Sequence, residues 1–133
     1  MDFLHPESWS RAPGFYWGTS ARGRHVFVAG QVGKDPGSAE PVLDGFGAQT
    51  AQAFANIVAV LAAGGAEPQH IAHMTWYVTD IDAYRAAGRD IGRAYRENFG
   101  KHFPSMTMLQ VAGLLAPGAE VEIECIAVVP DAE

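Results

Sequence analysis

Between Gly45 and Ala66 the chain carries no charged residue at all. Within that stretch Phe54, Ile57, Val58 and Leu61 recur at helical spacing, and Gln49, Gln52 and Asn56 make a second stripe at i, i+3 and i+7. A helix without charge on any side is one that is buried on more than one side. A lipid span is the wrong reading, because each amide would need a partner inside hydrocarbon. Asp44 is the expected N-cap. Gly64-Gly65 followed by Pro68 supplies the stop. Such a helix needs a sheet beneath it, and a second subunit is a candidate for the rest of its cover.

The flanking segments supply strands. Residues 1–13 read as an irregular arm pinned by Trp9. Phe15–Thr19, a turn at Arg22-Gly23 and the returning HVFVAG segment, His25 to Gly30, read as a hairpin. Gly33 to Pro41 is a loop by its composition. His70 to Thr79 reads as a strand with Met74, Trp76 and Val78 on one face. Thr79 and Asp82 resemble a capping box opening a second helix from about Ile81 to Phe99. That helix carries Gly88 and Gly92, each costing about 1 kcal/mol relative to Ala, which predicts close packing there. Met106, Met108 and Gln110 share one face of the next strand. After a turn around Pro117-Gly118, the last strand puts Val121, Ile123 and Cys125 on one face and Glu122, Glu124 and Ile126 on the other. The order β-β-α-β-α-β-β gives an α+β sandwich with helices on one face of a mostly antiparallel sheet, as a single domain over 1–133. The other face mixes apolar residues with carboxylates, which suggests several subunits packing around a shared interior.

Composition narrows the partners. The net charge is −6, with nine Lys and Arg scattered along the chain, so a nucleic acid is not the expected partner. The N-terminal segment lacks signal-peptide character. No run reaches the ~20 apolar residues of a bilayer span, so a membrane is not expected either. The single cysteine, Cys125, excludes an internal disulfide. A cytoplasmic location is the default expectation.

Glu122 and Glu124 are the leading candidates for chemistry, as a general acid/base or as a satisfied structural pair. His70 and His73 fall on opposite faces of a strand, and no neighbouring ligands complete a metal set. His102 reads as a surface histidine and Cys125 as a buried inert thiol. Ser105 lacks a nucleophile-elbow context. No glycine cluster forms a phosphate or dinucleotide fingerprint, so no cofactor is expected.

HVFVAGQVG, Gln49…Gln52…Asn56-Ile57, Leu61…Gly65, TWYVTDIDAY, Pro104 and VEIECIAV together resemble the Rid family, the YjgF-type reactive enamine/imine deaminases. The likeness runs from about Gly14 to Val128. It implies a chorismate-mutase-like fold, a homotrimer forming a barrel, and a small-molecule cleft between each pair of subunits. It implies Glu122 as the catalytic residue and Tyr16, Phe27, Ala29, Gly30, Gln31 and Met106 as cleft residues. Three positions depart from the family pattern. Met106 stands where the deaminases place an arginine that clamps a 2-imino acid carboxylate, Ala29 replaces a serine, and Gly88 replaces an asparagine. A guanidinium forks two donors onto a carboxylate, and a thioether does not. The expectation is therefore an imine deaminase acting on something other than the usual 2-imino acids, with Arg22, Arg24 or Lys34 as candidate cations for an anionic substrate such as an aminated ring-cleavage product. The alternative is a trimer that binds a metabolite without turnover, as sensor or carrier. A ribonuclease, an activity also claimed within the family, is disfavoured by the acidic charge.

Overall fold

The computed structural model describes residues 1–132; Glu133, the last residue of the expected domain, lies outside the described residues. The strands are β1 (Asp2–Leu4), β2 (Gly18–Ser20), β3 (Arg24–Val32), β4 (Ile71–Val78), β5 (Ser105–Gln110) and β6 (Val121–Val129). The helices are α1 (Phe46–Ala63), α2 (Ile81–Ala86) and α3 (Gly88–Phe99). Four strands form one mixed sheet in the order β3-β6-β4-β5. β4 and β5 are parallel, with α2 and α3 making the crossover that a parallel pair requires. β6 is antiparallel to both of its neighbours. This is the α+β, chorismate-mutase-like architecture.

The core lies between one sheet face and the helices. β4 from Met74 to Val78 and β6 from Val121 to Cys125 alternate, so Met74, Trp76, Val78, Val121, Ile123 and Cys125 are buried together. Ala53, Phe54, Ile57 and Leu61 of α1 meet them, and Ile91, Ala94, Tyr95 and Phe99 of α3 close the layer. Phe54 sits at the centre, edge-on to Trp76, Tyr95 and Phe99 at centroid distances of 5.5, 5.7 and 4.8 Å. Such aromatic pairs contribute about 0.5–1.5 kcal/mol each beyond their buried area.

The polar stripe on α1 is a set of clamps. Gln49 Nε2 donates to the carbonyls of Leu43 (2.8 Å) and Gly118 (3.1 Å), and Gln49 Oε1 accepts from the Glu120 amide (2.8 Å). Asn56 Nδ2 donates to the carbonyls of Lys34 (2.9 Å) and Val32 (3.2 Å), and its oxygen accepts from Gln52. The helix is long and apolar enough to cross a membrane by composition alone. Its uncharged character is accounted for within the chain by core on one side and amide clamps on another, with small residues such as Ala55 and Ala59 on the exposed strip.

Several local expectations change. The first hairpin does not form: β3 pairs with β6, while β2 pairs with β1 in a separate two-stranded sheet. At Gly23 (φ 149°) the chain crosses the end of β6 so closely that a Cβ would lie 2.0 Å from the Val129 carbonyl oxygen. That crossing carries β2 away from β3, and the N-terminal arm supplies it with a strand instead. Trp9 is exposed and stacks edge-on against Trp17 rather than anchoring in the core. The α1 N-cap is Gly45, with no side-chain cap from Asp44. The second helix breaks at Ala87, and Asp80, not Thr79, caps its start by accepting from the Asp82 amide.

Candidate active site

The last strand presents two carboxylates to the open sheet face, and they differ in engagement. Glu124 Oε1 accepts a 2.7 Å hydrogen bond from the Tyr77 hydroxyl. That bond, followed by burial and the charges of Glu124 and Glu122, raises the Tyr77 pKa above its usual 10.0, so the phenol stays a donor. Glu122 accepts no hydrogen bond among the described residues. Its carboxylate lies against Gly30, where a Cβ would be 2.3 Å from Oε2. The register explains the approach. β3 and β6 run in step to Val28↔Cys125 and resume at Gln31↔Ile123, so one extra residue bulges out around Ala29-Gly30. Bulges of this kind concentrate beside active sites, where they re-aim the chain. Gly30 and Gln31 then border a cavity of about 290 Å³ with Lys34 and Asn56.

The remaining expected cleft residues do not join Glu122 in one chain. Phe27, 71% exposed, and Ala29 line a shallow hollow on the open face with Glu124 and His73. Tyr16 bridges to Ser105 at the β5 edge and packs on Phe3. Met106 points the other way. Directly opposed residues share a sheet face, and Met74 is opposite both Met106 and Cys125, while Tyr77 is opposite Glu122. Met106 therefore faces the helices, and the sheet stands between it and Glu122.

On its own side Met106 borders a cavity of about 470 Å³ beneath α3, walled by Trp76, Tyr84, Ile91 and Phe103. Gly88 and Gly92 form part of this wall. The close packing expected of them is absent: a Cβ at Gly88 would meet nothing within 4 Å, and one at Gly92 only the Arg96 guanidinium. The cations at this cavity are Arg96 and Lys101, which the sequence reading passed over. The spacing of residues 88, 92 and 96 along one helix face was the available signal. Of the cations proposed from sequence, Arg24 instead donates to the Gly64 carbonyl at the end of α1, and Arg22 sits in an exposed loop.

Other polar groups are spoken for. Ser105 Oγ donates to the Ala72 carbonyl (3.1 Å) and contacts His73 Nδ1 (2.8 Å), so its proton is not directed at the imidazole. His102 is half-buried rather than a surface residue; its Nε2 donates to the Ile71 carbonyl (2.7 Å), and burial lowers its pKa. Burial pushes the Cys125 thiol up to about 12, which leaves it a neutral core residue. Among the described residues no group of three or more His, Cys, Asp or Glu is placed to hold a metal.

Residues 10–129 match the family described as Endoribonuclease L-PSP. The chain belongs to the Rid, or YjgF, family. A 2-iminobutanoate/2-iminopropanoate deaminase from Capra hircus is 34% identical over 105 residues, covering 79% of this chain and 73% of the relative. Among solved structures, a YjgF-family member from Mycobacterium tuberculosis is 35% identical with a TM-score of 0.65, covering 82% of each chain. RidA from an Antarctic Psychrobacter is 28% identical with a TM-score of 0.69, covering 97% of this chain and all of that one. This Rid-family chain has a bulge at Gly30 with a carboxylate beside it, and a thioether at Met106.

Proposed function

We propose that this Rid-family chain hydrolyses a reactive imine to a carbonyl compound and ammonia, in clefts completed between copies of a homotrimer. The observation that carries the reading is the Glu122 carboxylate, which accepts no hydrogen bond among the described residues and lies against Gly30 at the bulge, beside a Glu124 that is already engaged. A carboxylate kept unpaired on an apolar strand is available to move protons. The deaminase relatives supply the reaction type by analogy.

Glu122 acts twice in the proposed chemistry. It takes a proton from water as the water oxygen bonds to the imine carbon and the C=N π pair moves to nitrogen. It returns that proton to nitrogen, giving a carbinolamine. It then takes the hydroxyl proton as the C=O forms and delivers it to nitrogen as the C–N bond breaks. Imine and water become carbonyl and ammonia, and the carboxylate is regenerated. No cofactor enters these steps.

Met106 limits the substrate. A hydrogen bond to a charged group contributes roughly 1.5–3 kcal/mol, and the missing arginine would also have oriented a small 2-imino acid. Slow turnover of freshly generated 2-aminoacrylate is therefore expected, alongside ammonia release from other members of an imine panel. Glu122→Gln should lower that release by about 10²–10⁴-fold. A wild-type rate in Glu122→Gln would sink the assignment. Ligand-induced thermal stabilisation with no ammonia from any imine would mark a metabolite-binding module instead. The ribonuclease in the family description has no support in the net charge of −6.

A further inference from the structure

We infer that the cavity beneath α3 is the specificity pocket for an imino acid with a bulky apolar side chain, its carboxylate held by Arg96 and Lys101. The inference rests on the imine-hydrolase reading for its chemistry, and on the geometry of a single chain for its binding.

Three observations converge. The first is space. At about 470 Å³ the cavity has the size of a small-molecule site, and two residues without side chains, Gly88 and Gly92, form part of its wall. Ligand-sized volume and apolar walls from Trp76, Tyr84, Ile91 and Met106 suit a phenyl or branched aliphatic group. The second is charge. In a chain of net charge −6, the ionisable lining groups other than tyrosine among the described residues are Arg96 and Lys101, and none of those residues brings a carboxylate to the cavity. Among the described residues neither cation is in a salt bridge. The same sign continues next door, where Lys101 is shared with a second hollow that also holds Arg11 and, among the described residues, no acidic group. The third is an orphaned donor. The indole Nε1 of Trp76, in the cavity wall, is the one buried side-chain nitrogen or oxygen without a partner among the described residues.

These features explain Met106. An arginine there would place a cation on the floor and favour a small acid. A thioether makes the floor apolar and adaptable, while the cationic function moves to Arg96 and Lys101. The C=N group, adjacent to the carboxylate, then stays near the cationic side of the cavity rather than deep within it.

Isothermal titration of the full-length protein with 3-phenylpropanoate, phenylpyruvate and pyruvate tests the pocket without any turnover. The two phenyl acids should bind at least about tenfold tighter than pyruvate, since burying a ring adds well over one decade of affinity. Gly88→Leu, which enters open space, should fold normally and remove that preference. Arg96→Gln and Lys101→Gln should each weaken both phenyl acids about tenfold or more. Equal affinity for all three acids, or phenyl binding unchanged in Gly88→Leu and Arg96→Gln, overturns the pocket. The catalytic reading is separated by ammonia release from 2-imino-3-phenylpropanoate. Tight phenyl binding with no ammonia from this or any other imine of the panel overturns the hydrolase and leaves the pocket standing. Release that depends on Glu122 but is unaffected by Gly88→Leu overturns the pocket and leaves the hydrolase standing.

Discussion

Single glycines in this chain serve opposite ends. Gly33 is buried where the end of β3 meets α1, and a Cβ there would lie 2.3 Å from Gln49 Cα. Backbone cannot yield as a side-chain tip can, so Gly33→Ala should lose about 1–3 kcal/mol, read as a lower urea midpoint at unchanged slope. Gly92 is the reverse case. Its neighbour is the mobile end of Arg96 at 3.4 Å, and Gly92→Ala should gain about 0.5–1 kcal/mol of helix propensity. Equal and large losses in both would mean that α3 packs more tightly than its cavity indicates. His102 adds a pH dependence. Burial, partly opposed by the bond to Ile71, lowers its pKa below the ordinary 6.5 in the fold. The unfolded chain therefore binds the proton more readily. This contribution to stability is complete above about pH 6.5 and is lost as pH falls through the lower folded value. His102→Gln should flatten the fall in melting temperature between pH 7 and 5 relative to wild type; an identical slope would remove His102 from the account.

Elements were legible where one chain face repeats. The α1 stripe, the alternation of β4 and β6 and the split of Glu122 from Ile123 all follow from periods of 3.6 and 2, and each is present. The N-terminal pairing was not legible, because Asp2–Leu4 is too short to show alternation and its partner is set by the crossing at Gly23. The break at Ala87 has no proline to announce it. The meaning of the amide stripe also needed tertiary structure. Gln49 joins the loop before α1 to the turn before β6, at 2% exposure. Gln49→Leu keeps the bulk but strands the Leu43 and Gly118 carbonyls and the Glu120 amide. At about 1–3 kcal/mol for a buried unsatisfied group, the substitution should cost about 2–3 kcal/mol in chemical denaturation. A loss below about 0.5 kcal/mol would show that water replaces the clamp.

At the scale of the whole molecule, the sheet divides the site. Glu122 and the Gly30 bulge are on the open face, whereas Met106, Gly88 and Arg96 belong to the helix side. Sequence could list these residues but not reveal that a sheet lies between them, because that depends on which strands become neighbours. Both halves serve one small molecule only if a second copy brings its open face to the first copy's cavity. The exposed Phe27, Leu109 and Ile126 make that face suited to cover. A head-to-tail ring, three copies by family resemblance, meets this need with one repeated contact. The arrangement predicts complementation. In Glu122→Gln every cleft lacks its carboxylate, and in Gly88→Leu every cleft has a filled pocket. Unfolded together in equal amounts and refolded, the chains assort at random. A cleft is intact when the copy supplying residue 122 carries Gly88→Leu and the copy supplying residue 88 carries Glu122→Gln, which happens in about one cleft in four. Ammonia release from 2-imino-3-phenylpropanoate should then return to about a quarter of the wild-type rate. The same proteins mixed without unfolding should stay inactive if the ring does not exchange subunits. A refolded mixture no more active than its two components would place both halves of the site in one chain and refute the shared cleft.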